Sequence, residues 1–92
     1  MQRFDLNSTI DRNGVQIRTV FLREPKAKDR KALARAFAGI QPADDAAQGR
    51  DMAVTMVARL CDLPPAAVRS MAIGDFRRIT EAAIAALNAG RP

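Results

Sequence analysis

Apolar and polar residues alternate on both sides of Asn13-Gly14, the only such dipeptide in the chain. Asn-Gly is a strong signal for a tight hairpin turn, because both central positions of a type I′ turn need positive φ. With that dipeptide at the tip, paired residues have numbers that sum to 27. Ile10 then faces Ile17 and Leu6 faces Phe21, with Phe4, Ser8 and Val15 on the same side. The other side carries Asp5, Asn7, Thr9, Asp11, Gln16 and Arg18, with Val20 and Leu22 near its base. The pattern predicts a hairpin over about residues 3–23 with one core-facing side. A two-stranded hairpin is marginal alone and must lie on other elements.

Pro25 cannot donate to a ladder and ends the second strand. Beyond it the period becomes helical. Ala32, Leu33, Ala36, Phe37 and Ile40 share one side of a helix over about 27–38, while Lys28, Lys31 and Arg35 share the other. Gly39 closes that helix, and Asp44 or Asp45 is placed to cap the next, over about 45–61. There Gln48, Asp51, Thr55, Arg59 and Asp62 fall in a narrow polar arc, and apolar side chains cover most of the remaining circumference. Such a helix must be buried on several sides. Either the hairpin and the last helix both pack on it, or another chain does. Pro64-Pro65 starts a short helix over about 65–71, since proline fits a first turn. The last helix, about 74–88, carries a stripe of Phe76, Ile79, Ala83 and Leu87 with Arg77, Arg78 and Glu81 outward. The expected class is α+β: one domain over 1–92, an N-terminal β-hairpin packed on three to four short α-helices.

Composition restricts what this fold can do. Ninety-two residues bury roughly two thirds of their unfolded surface. Without Trp or Tyr the core must rest on aliphatic residues, Met and four Phe. A single cysteine excludes an internal disulfide and suits a reducing compartment. No apolar run approaches the roughly 20 residues of a membrane span, and no signal peptide is evident, so a cytoplasmic location is expected. Residues 1–35 hold nine Lys/Arg against four acids and thus the whole net charge of +5. That asymmetry fits an anionic partner as well as an ordinary solvated face.

Candidates for chemistry are few. Histidine, the commonest general base and metal ligand, is missing. Cys61 reads as a small buried hydrophobe. The eight aspartates lack the alternating spacing of a calcium loop, and the glycines are scattered singly, so no phosphate loop is formed. Asp75 reads as a first-turn acid favoured by the helix dipole. No enzyme activity, metal or cofactor is expected. Two kinds of surface remain. Met52, Met56, Val57 and Leu60, with Val20 and Leu22, are candidates for binding an apolar partner, because methionine adapts to varied surfaces. Lys28, Lys31 and Arg35 are candidates for contacting an anion.

Three segments in order carry a resemblance. They are Val20-x-Leu22-x2-Pro25 leading to Asp29 and Leu33, then Ala58-Arg59-Leu60-x2-Leu63-Pro64-Pro65-x2-Val68, then Asp75-Phe76-x2-Ile79. From about Val15 to Ile79 the chain resembles the phage tail assembly chaperones of contractile-tailed, Mu-like phages and prophages. It departs from them mildly at Cys61-Asp62, where that family often has a small residue and glycine. The resemblance implies a non-enzymatic protein of the bacterial host cytoplasm that coats the tape measure protein while the tail tube forms, and that is absent from the finished particle. The tail tube protein is a further partner it implies. The wide apolar arc and open strand edges lead us to expect self-association as well. The alternative is a small nucleic-acid-binding or regulatory domain using the basic N-terminal half. A third reading is a structural component retained in the particle.

Overall fold

A computed structural model describes residues 1–39 and 46–89. Two strands, β1 (Gln2–Arg12) and β2 (Val15–Leu22), form an antiparallel hairpin followed by four helices. These are α1 (Ala27–Ala36), α2 (Ala46–Cys61), α3 (Pro65–Arg69) and α4 (Ile73–Ala89). The fold is α+β as its patterning implies. Asp44 and Asp45, expected to cap α2, lie outside the described residues.

The turn is built as Asn-Gly dictates, with φ of 53° at Asn13 and 86° at Gly14. Near it the register sums to 27, with Ile10 opposite Ile17, Asp11 opposite Gln16 and Arg12 opposite Val15. Toward the base the register changes. Gln2 meets Leu22, Arg3 meets Phe21, Phe4 meets Val20 and Asp5 meets Thr19. Leu6–Thr9 therefore bulge opposite Arg18 alone. The extra residues are odd in number, and an odd shift exchanges the two faces of a strand. This overturns the uniform register. Phe21 does not oppose Leu6 but lies 49% exposed on the outer side, while Val20 and Leu22, expected outside, are buried.

The core gathers around α2. Val54, Met56, Val57, Leu60 and Cys61 are buried there, against Leu6, Ile10, Val20 and Leu22 of the hairpin, Leu33 of α1, Val68 of α3 and Ile79 of α4. β2, α1, α3 and α4 all contact α2. Of the two ways to cover its broad apolar arc, the chain uses its own elements. The helix ends in a Schellman motif: Asp62 takes φ of 56° and the Leu63 N–H donates to the Ala58 carbonyl at 2.9 Å.

Candidate functional site

One side of α4 has no covering element among the described residues. Asp75, Ile79 and Ala83 are fully buried on its inner side. Ile73, Phe76, Arg77, Thr80 and Glu81 recur at helical spacing on another and, with Arg50 from α2, line a cleft of about 320 Å³. Ile73 is 68% exposed, and Ile84, one further turn along, is 47% exposed. An isoleucine two-thirds in water makes an unfavourable contact that any apolar surface would relieve. Phe76, half-buried, joins the cleft to the core. The Thr80 hydroxyl oxygen lies out of solvent with no hydrogen-bond partner among the described residues. Arg50 and Arg77 form no ion pair with a described residue.

Two buried carboxylates tie the elements of the fold together. Asp75, in the first turn of α4, accepts hydrogen bonds from the Asn7 N–H at 2.9 Å and the Ser8 N–H at 3.4 Å. Its other oxygen accepts from Arg78 Nη2 at 2.7 Å, and Arg78 also donates to the Asp5 carbonyl at 3.1 Å. The pair thereby satisfies the backbone that the β1 bulge leaves unpaired. Burial pushes the Asp75 carboxyl up, but the Arg78 and backbone hydrogen bonds outweigh it and hold the group below the ordinary range.

Asp29, in the first turn of α1, accepts both Nη groups of Arg23, with Nη2 at 2.9 Å. It also accepts Arg59 Nε and the Lys26 N–H, each at 2.9 Å. Arg23 completes the join by donating to the Arg59 carbonyl, and its own N–H donates to the Leu60 carbonyl. The hydrogen bonds from Arg23 hold the Asp29 carboxyl well below the usual range against the opposing effect of burial. One carboxylate so ties the end of β2, the start of α1 and the end of α2.

The residues anticipated as partner contacts divide sharply. Val20, Leu22, Met56, Val57 and Leu60 are buried in this chain's own core, so a partner reaches them only if that core opens. Met52 alone stays half-exposed, lining a shallow hollow of about 150 Å³ with Phe37 and Thr55. Lys28, Lys31 and Arg35 are exposed along α1, and none forms an ion pair with a described residue. Arg30, by contrast, reaches the other way to donate to the Leu87 carbonyl at 2.5 Å. Cys61 is buried, and burial raises its thiol to about 11 against a smaller opposing effect of Arg23. It acts as a hydrophobe, as its place in the pattern implies. Asp75 does more than its first-turn position foretells. The signal available in sequence was Arg78 three residues on, but its backbone partners on β1 are set by tertiary structure alone.

Among the described residues no group of three or more His, Cys, Asp or Glu is placed to hold a metal ion, and no helix is long and apolar enough to cross a membrane. The cleft is apolar, rimmed by charge, and lies on a helix tied to β1 through Asp75. The model of the family described as "Phage tail assembly chaperone proteins, E, or 41 or 14" matches residues 3–87. The chain belongs to this family of phage tail assembly chaperones. No curated protein and no solved structure matches it.

Proposed function

We propose that this chaperone binds the tape measure protein during tail tube assembly, by reversible and non-catalytic contact in the host cytoplasm, and leaves before the particle is complete. The observation that carries the reading is the apolar side of α4, where Ile73, Phe76 and Ile84 present a stripe to solvent beside the cleft. A long helical partner offers a matching stripe, and helix-in-groove contact buries both. Family membership supports a tail protein as the occupant. Met52, in a separate hollow between α1 and α2, is a second contact in this proposal, while Val20, Leu22, Met56, Val57 and Leu60 act from behind by holding α2 rigid. The tail tube protein is a further partner at the point where tube and tape meet.

The test is co-expression of the chain with the tape measure protein, followed by affinity capture. Ile73→Glu with Ile84→Glu changes two exposed residues and so leaves folding intact. The double variant is expected to lose about tenfold or more in affinity. Undiminished capture by the variant overturns the reading. A preparation that instead retains nucleic acid, releases it with salt and loses it on Lys31→Glu would favour the use of the α1 cations.

A further inference from the structure

The outer side of α1 carries charge that its own fold does not answer. Lys28, Lys31 and Arg35 stand three and four residues apart, so they form one row about 10 Å long at the helical rise. All three are exposed, and none forms an ion pair with a described residue. The one acid of the helix, Asp29, is turned inward and already holds Arg23, Arg59 and the Lys26 N–H. Glu24, the nearest acid before the helix, is exposed and has no ion pair with a described residue either.

The row is unfavourable to the helix that bears it. Lys28 with Lys31, and Lys31 with Arg35, set like charges on adjoining turns. Lys28 also lies in the first turn, where the helix dipole is positive and favours an acid. We infer that this row is a second docking surface of the chaperone, and that its occupant is an acidic helical segment of the protein partner. Acidic residues at the same three- and four-residue spacing would meet the three cations in turn. The exposed Ala27 and Ala34 flank the row and leave room for a helix to approach. A nucleic acid fits the surface less well. Strands held without sequence preference rest on aromatic side chains among the cations. This chain has no Tyr or Trp, and Phe37, at the end of α1, packs against the core. Taking the tape measure protein as the partner rests on the proposed function, whereas the surface is separate from it, since no residue of α1 lines the α4 cleft. Exposed ion pairs are individually weak, so the row selects and steers an acidic segment more than it grips one.

The experiment pairs stability with affinity. Lys28→Glu with Lys31→Glu places an acid in the first turn and a glutamate four residues before Arg35, both favourable to the helix. The free variant is expected to unfold at a urea midpoint no lower than the parent's. Its affinity for the co-purified tape measure protein is expected to fall about tenfold at low salt and to lose most of its salt dependence. A merely solvated face would show the first effect without the second, and that outcome overturns the inference. Arg12→Glu with Arg18→Glu makes the same change in net charge on exposed hairpin residues. An equal loss from that pair would trace the attraction to overall charge and overturn the site. A parent chain that binds a DNA duplex, and releases it on Lys28→Glu with Lys31→Glu, would overturn the choice of occupant. Ile73→Glu with Ile84→Glu separates the two surfaces. If it abolishes binding while the α1 pair does not, the α4 reading stands and the α1 surface falls. The reverse result leaves the α1 surface standing without the α4 cleft.

Discussion

Asp29 and Asp75 occupy equivalent places in two different helices. Each is the third residue of its helix, each is almost wholly buried, and each holds arginine. Asp29 reaches back to the Lys26 N–H just before its own helix, a local first-turn contact, and spends its remaining capacity on two guanidiniums from other segments. Asp75 takes its arginine from its own helix, three residues on, and spends the rest on the backbone of β1. In one the distant partners are charges, in the other backbone amides. The same sequence feature thus fastens three elements in the first case and rescues a strand irregularity in the second.

The contrast predicts different tolerances. Asp29→Ala removes the common partner of Arg23 and Arg59, and losing one side of a buried pair costs about 3–5 kcal/mol. That is a large part of the roughly 5–15 kcal/mol available to a small domain. Asp75→Ala is expected to cost about 2–3 kcal/mol, since water can reach the exposed Asn7 and Ser8 once the carboxylate is gone. The amide variants separate the two more clearly. Asp75→Asn keeps an oxygen for the Asn7 N–H and recovers much of the loss. Asp29→Asn cannot serve two guanidiniums and recovers little. Urea midpoints measure all four, and equal costs for the two amide variants would break the comparison.

Acid provides a finer probe. Both carboxyls lie below the ordinary aspartate value of 3.8 in the folded chain. The unfolded chain therefore takes up protons first as pH falls, and in that window stability rises with pH. The contribution of both groups is complete above about pH 5 and is lost progressively below it. Asp29→Asn should flatten the acid limb of a plot of urea midpoint against pH, and Asp75→Asn should flatten it less, because burial opposes its ionised form more strongly. A slope unchanged by Asp29→Asn would mean that this carboxylate does not drive the acid transition.

These two aspartates also mark where sequence stops informing. The Asn13-Gly14 turn, the four helices and the burial of Cys61 were legible because each depends on residues close along the chain. The bulge at Leu6–Thr9 was not, because it needs Asp75 and Arg78 from the far end, and without it every base residue of β2 is assigned to the wrong side. The α2 arc announced deep burial but not which surfaces would supply it. The cleft was half-visible. Phe76, Arg77 and Glu81 could be placed on α4 from its stripe, whereas the approach of Arg50 and the unpaired state of Thr80 arise only from how α2 and α4 cross.

The smallest effect concerns the end of α2, and it sharpens the comparison by removing strain that neither aspartate node relieves. Asp62 sits at φ of 56°, a left-handed conformation that favours glycine. The motif demands it, since the Leu63 N–H must turn back to the Ala58 carbonyl so that Pro64 can start α3 in a new direction. Aspartate tolerates this region better than most residues but at some cost. Asp62 is exposed, so its side chain is not needed for the core. Asp62→Gly relieves the backbone while raising the entropy of the unfolded chain, and the net gain is expected at about 0.5–1 kcal/mol. Because relief of the backbone does not depend on protonation, the variant should raise the urea midpoint equally at neutral and acid pH. A gain confined to acid pH would mean that the lost attraction between Asp62 and Arg23 cancels the backbone relief at neutral pH.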